Sequence, residues 1–215
     1  ILALRNMVLF PGITLPIAVG RAKSLELINT AQKQKLSIGV VCQKSGDTDD
    51  PGFNDLYDTG VVADIVKVLE LPDNTTNVIL QGRSRFTLDC ITATKPYLKG
   101  NITIDNDEFP EHSDKEFSAL IVSIKELVLD ILKNIDGGKE MAFAIKNIDN
   151  VIYLINFLAA NMPISPAQKQ KLLQEASIKK RAYKLYAFLS KEAQFLAIKA
   201  DIQSKTREDL SQQQR

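Results

Sequence analysis

Leu4-Arg5-Asn6-Met7-Val8-Leu9-Phe10-Pro11-Gly12-Ile13-Thr14-Leu15-Pro16-Ile17-Ala18-Val19-Gly20-Arg21 holds two short apolar runs on either side of a Pro-Gly pair. Pro11 presets its own φ and Gly12 accepts positive φ, so the pair suits a tight turn and little else. The stretch therefore reads as two strands joined by that turn. A helix follows at once from Arg21, because Leu25, Ile28 and Ala31 recur at helical spacing.

Working outward, the next segments are β-rich and short. Residues 37–42 are apolar, and residues 59–71 read as a long strand with partial alternation. Turn chemistry fills 72–77, and 78–80 returns as a hairpin partner. Gly82-Arg83-Ser84-Arg85 leads into a further strand at 86–93, and another reads at 98–104. Many short strands with one early helix predict a small, mostly antiparallel barrel or pseudo-barrel.

Polar residues and Pro110 cluster over 105–112, which marks a domain boundary and a candidate hinge at 105–111. Beyond it the period changes to helical. Ser113 with Glu116 fits a capping box, and Phe117, Leu120, Ile121, Ile124, Leu127, Val128, Ile131 and Leu132 form the apolar stripe of the helix it opens. Gly137-Gly138 ends that helix. Helices are predicted at 141–148 and 150–161, the second stopped by Pro163. Ser165-Pro166 starts a short helix at 167–175. A long helix then runs from about Ile178 to the end on a stripe of Ile178, Ala182, Leu185, Leu189, Ala193, Leu196 and Ala200. The fold class is α+β: a β-rich head over 1–107, a helical-bundle subdomain over 113–176, and a long C-terminal helix over 177–215.

The 215 residues are 45% hydrophobic and 25% charged, ordinary for a soluble globular protein, and the formal net charge is +1. That balance gives no global field toward nucleic acid or membrane. The charge is uneven, however. Residues 1–112 carry 11 Lys and Arg against 14 Asp and Glu, whereas 163–215 carry 11 against 5. Cys42 and Cys90 lie in apolar strand runs and read as reduced, buried thiols. No run approaches the roughly 20 apolar residues of a membrane span. The Asn74 and Asn101 glycosylation triplets lack a secretory signal beside them. Ile1 in the first position and the polar Gln212-Gln213-Gln214-Arg215 end read as the cut ends of a fragment.

The opening stretch resembles the start of the Lon protease N-terminal domain. Two further segments resemble later motifs of that family in the same order: Asp55-Leu56-Tyr57-Asp58-Thr59-Gly60-Val61-Val62-Ala63, then Leu71-Pro72-Asp73 with Gln81-Gly82-Arg83-Ser84-Arg85-Phe86. Ala160-Asn161-Met162-Pro163-Ile164, the helix around Lys169 to Gln174, and the Arg181, Leu185, Leu189, Glu192, Leu196 pattern resemble its helical part. The resemblance implies a PUA-like pseudo-barrel head. It also implies a last helix that runs on, coiled-coil-like, toward an ATPase ring, in a cytoplasmic hexamer that unfolds proteins with ATP and Mg²⁺ and cleaves them with a Ser-Lys dyad. By that resemblance this part gathers unfolded or degron-bearing substrate.

The residues themselves carry no such chemistry. Gly137-Gly138-Lys139-Glu140 lacks the upstream glycine and the hydroxyl of a phosphate loop, and no G-x-S-x-G elbow occurs. His112 sits in a polar linker without partner ligands. The acidic loop Asp47-Thr48-Asp49-Asp50-Pro51 lacks the spacing of a calcium loop and reads as solvated. No catalytic, cofactor or metal residue is expected within the chain. What remains is binding. The segment around Met7, Phe10 and Ile13 reads either as core that fills the head's own interior or, if these residues are partly exposed, as the candidate substrate-binding residues that capture unfolded polypeptide. Lys179-Lys180-Arg181 is the alternative, a nucleic-acid patch on a PUA-like module, set against an acidic head and no aromatic ladder. The run otherwise reads as a solvated helical face. A third reading makes the long helix an assembly element, but its Ala-rich stripe has no sustained Leu or Ile seam. The chain alone is thus expected to be monomeric or weakly associating.

Overall fold

The computed structural model describes residues 1–213. Six strands form one sheet: β1 (Leu2–Leu4), β2 (Thr14–Val19), β3 (Ile38–Cys42), β4 (Thr59–Glu70), β5 (Thr76–Ala93) and β6 (Lys99–Ile104). Its path is β1-β3-β4-β5-β2, with β6 also on β5. β1 pairs with β3 in parallel and every other pair is antiparallel. Six helices complete the described residues: α1 (Ala22–Gln34), α2 (Lys115–Leu132), α3 (Gly138–Lys146), α4 (Val151–Asn161), α5 (Pro166–Gln174) and α6 (Ile178–Gln213). The α+β class, the β-rich head and the long last helix are as the sequence implies, and residues 214–215 of that expected helix lie outside the described residues.

Two strand readings change. Residues 8–10, expected as a strand, form none; they lead as irregular chain into the turn at Pro11 and Gly12. Gly12 does take the left-handed region, with φ of 78°. The two strands expected at 78–80 and 86–93 are one strand of 18 residues, β5. Gly82 does not interrupt it. A Cβ there would lie 2.2 Å from the Phe10 carbonyl oxygen, so glycine is what lets β5 pass against the signature loop. The loop is then stitched to β5 by Gly12 N–H donating to the Gly82 carbonyl (3.1 Å) and Gly82 N–H donating to the Ile13 carbonyl (2.9 Å).

Helix ends follow local chemistry. Ser165 and Gln168 form a reciprocal capping box with Pro166 at the first helical position. Asn150 caps α4 by accepting from Tyr153 N–H. At α2 the cap is Asp114, one residue beyond the expected Ser113, and it accepts from Phe117 N–H. Glu116, expected to reach back to the cap, instead meets Lys179 of α6 at 2.7 Å.

One cluster of buried apolar side chains runs from the head through the helices. It includes Leu9, Phe10 and Leu80, then Ile124 and Val128 of α2, Leu154 and Ile155 of α4, and Leu185 and Leu189 of α6. The segment marked as a candidate hinge is tied on both sides. Asp105 N–H donates to the Arg85 carbonyl (3.0 Å), Glu108 N–H to the Ala176 carbonyl (2.9 Å), and Ile178 N–H to the Glu108 carbonyl (3.0 Å).

Candidate functional site

The signature loop is where head and helices meet. Phe10 is fully buried and Ile13 is buried, so these two residues are core rather than the partly exposed contacts that the binding reading requires. Met7 alone of the three is half-buried and reaches the surface. It lines a cleft of about 400 Å³ between β1 and β2, floored by the buried core residues Leu2, Leu4, Ile17 and Val19. Arg5 and Arg21 stand on the same cleft. Arg21 donates to the Ala3 carbonyl and the Gln43 side chain, at 2.9 and 2.8 Å. Burial, and then the nearby Arg5 charge, push the Arg21 pKa below its ordinary value, against the pull of Asp49 and Asp50.

The acidic loop, expected to be merely solvated, packs by charge against this end of the head. Asp49 pairs with Arg5 at 2.8 Å and Asp50 with Lys23 at 2.7 Å. Both pairs are exposed, so each adds little stability.

Behind the Pro-Gly turn lies a buried polar chain that the sequence reading missed. Asn156 of α4 donates to the Pro11 carbonyl (3.1 Å) and accepts from Arg181 of α6 (3.0 Å). Arg181 also donates to Asp107 (2.9 Å) and to the Glu175 carbonyl. Arg85 of β5 donates to the same Asp107 oxygen (2.6 Å) and to the Leu173 carbonyl. Turn, sheet, linker and long helix are thereby joined through two guanidinium groups and one carboxylate. Arg181 is completely buried, and burial pushes its pKa below the ordinary arginine value while Asp107 opposes that. An available signal was Asn156 itself, a polar residue inside the apolar run Val151-Ile152-Tyr153-Leu154-Ile155-Asn156-Phe157-Leu158.

This arrangement corrects the reading of Lys179-Lys180-Arg181 as a solvated face. Arg181 is core, and Lys179 bridges Asp114 (2.8 Å) and Glu116 (2.7 Å). Only Lys180 is exposed. The trio does not present a basic patch. Tyr183 also donates its hydroxyl proton to Glu116, which completes a clamp between α2 and α6.

His112 is exposed at the rim of a recess lined by Phe109, Phe117, Val151 and Ile152. Among the described residues no group of three His, Cys, Asp or Glu side chains is placed to hold a metal ion. No described helix is long and apolar enough to cross a membrane. Cys42 is buried, and burial raises its thiol pKa. Cys90, expected to be buried, is exposed; β5 there is covered on one edge by β6, opposite Asn101, and its outward face is open.

Comparison with known proteins agrees with this architecture. The sequence model described as the "ATP-dependent protease La (LON) substrate-binding domain" matches residues 1–191. The chain is 51% identical over 216 residues to a Lon protease of Parabacteroides distasonis and 45% identical over 218 residues to one of Porphyromonas gingivalis. Each match takes in 100% of this chain and 26% of the relative, so the chain spans about a quarter of their length. In structure it is similar to the N-terminal domain of the Mycobacterium avium complex Lon protease, with a TM-score of 0.70 at 20% identity, over 88% of this chain and 96% of that one. A Lon N-terminal domain protein from Xanthomonas campestris matches with a TM-score of 0.59 at 20% identity, over 86% of this chain and 96% of that one. With a family match over most of its length and relatives this similar, the chain belongs to the Lon substrate-binding domain family.

Proposed function

We propose that this chain is the substrate-recognition region of an ATP-dependent protease, holding unfolded or degron-bearing polypeptide for ATPase and protease domains carried elsewhere in the parent protein. ATP and Mg²⁺ would act in those domains, in a cytoplasmic hexamer. The observation that carries the reading is the cleft between β1 and β2. Its lining mixes apolar residues with Arg5, Arg21 and Ser24, Met7 offers a flexible and polarizable side chain at its surface, and it opens on the loop that the polar chain ties to α6. Capture and transmission of position thus use one connected piece of structure.

Met7→Ser tests the reading, because Met7 is the one member of the predicted trio that reaches the surface. Losing about 1 kcal/mol of apolar contact corresponds to roughly fivefold weaker binding of an unfolded protein. Unchanged affinity would move substrate contact away from this cleft. The nucleic-acid alternative has lost its basic patch to burial and pairing.

A further inference from the structure

The two ends of the sheet path, β1 and β2, border the same cleft. Strand alternation decides which backbone groups each turns toward it. Gln43 N–H donates to the Leu4 carbonyl at 2.8 Å, so Leu2 and Leu4 turn their polar groups to β3 and Ala3 turns its own away. The outward Ala3 carbonyl is already taken by the Arg21 guanidinium at 2.9 Å. On β2, Gly82 N–H donates to the Ile13 carbonyl, so Leu15, Ile17 and Val19 face β5. Pro16 and Ala18 then turn away from it, and among the described residues β2 pairs with β5 alone. Pro16 offers a carbonyl and no N–H. Ala18 offers both groups, and Ala18 lines the cleft.

We propose that an extended polypeptide segment enters this cleft as an added strand on the free edge of β2, with Ala18 as its main-chain anchor. The inference rests on the substrate-recognition reading and supplies its mode. An open hydrogen-bonding edge is complemented by an extended backbone, and the half-buried Met7 stands beside it to meet a side chain of that strand, over a floor of core residues Leu2, Leu4, Ile17 and Val19. Recognition through the main chain tolerates many sequences, as a region handling diverse unfolded proteins requires. Arg21 bounds the cleft at the end of β2, and at about 3.3 Å per residue the β1 edge matches an added strand of roughly three to four residues. Pro16 limits pairing to the last part of β2, which protects the edge against longer, indiscriminate strand pairing.

The test uses this chain and a fluorescein-labelled peptide alternating leucine with serine, beside a twin methylated on its central backbone nitrogens. A labelled, permanently unfolded protein runs in parallel. Strand addition predicts that the twin binds at least about tenfold more weakly and that exchange of the Ala18 amide slows by a similar factor in the complex. Ala18→Pro, which removes an N–H the sheet does not use, should weaken the parent peptide to the same extent, and Ala18→Val, which keeps it, should not. Equal binding of the two peptides, or unaltered Ala18 exchange, overturns strand addition. So does failure of the parent peptide to bind. In each of those cases continued binding of the unfolded protein leaves the recognition reading standing, and its loss as well removes both.

Discussion

Phe10 shows what a single residue decides. Its place beside a Pro-Gly turn is open to core and to surface contact alike, and it is fully buried in the core that joins head to helices. Phe10→Ser is therefore expected to lower the free energy of unfolding by about 3–5 kcal/mol or more, the range for truncating a buried phenylalanine. Chemical denaturation measures this; a change below about 1 kcal/mol would contradict the packing. Arg181 makes the complementary point. Removing it leaves the Asp107 carboxylate and the Asn156 amide short of a buried partner, so Arg181→Ala should cost on the order of 3–5 kcal/mol. Arg181→Lys should rescue little of that, because one ammonium cannot reproduce a planar fork serving Asn156, Asp107 and the Glu175 carbonyl. The burial of Arg181 was not readable locally. The Asp107 that holds Arg181 is 74 residues away, and an arginine flanked by two lysines looks like surface.

At the scale of elements, the clamp between α2 and α6 sets a pH dependence. Lys179 holds the Asp114 and Glu116 carboxyls below their ordinary pKa values, and those carboxylates in turn raise the Lys179 pKa. For the two acids, the folded form binds fewer protons than the unfolded chain in the acid range. Their contribution is present above the ordinary carboxylate values near 4 and is lost as pH falls through the lowered ones. For Lys179 the raised pKa adds stability that is present at neutral pH and lost only far into the alkaline range. Lys179→Met should thus lower stability at pH 7 and flatten its decline below about pH 4. Parallel curves for the two proteins across that range would contradict the clamp. The helix ends were legible because capping is local chemistry: Ser165-Pro166 and the Asn150 start were both readable. The α2 start was off by one because Ser113 and Asp114 are both good caps, and contact with Lys179, remote in sequence, favours the second. The single strand β5 was split in the sequence reading because glycine normally interrupts a strand. Gly82 is instead there for the close pass of Phe10.

For the whole molecule, the class and order of elements were legible from periodicity and turn residues, while the joints between them were not. The linker over 105–111 has the composition of a hinge, yet Glu108 is paired in backbone with the start of α6 and Asp107 bridges β5 to α6. Of the substrate trio, only Met7 reaches the surface, since exposure depends on how the loop lies against helices well over a hundred residues further on. α6 extends for 36 residues, about 54 Å at the usual rise. One face of its first part is buried, at Ile178, Arg181, Ala182, Leu185 and Leu189, while Phe195, Ile198, Ile202 and Leu210 are exposed along the rest. These few apolar residues without a sustained seam predict a monomer or weak association for this chain alone, and sedimentation showing a tight hexamer would contradict that. The proposed function is the holding of polypeptide. The most direct measurement is binding of this chain to a labelled, permanently unfolded protein and, in parallel, to single-stranded RNA, from about 50 to about 200 mM salt. The account predicts saturable protein binding that survives the salt, with no RNA binding. RNA binding that falls steeply with salt, or no binding of the unfolded protein, would contradict it.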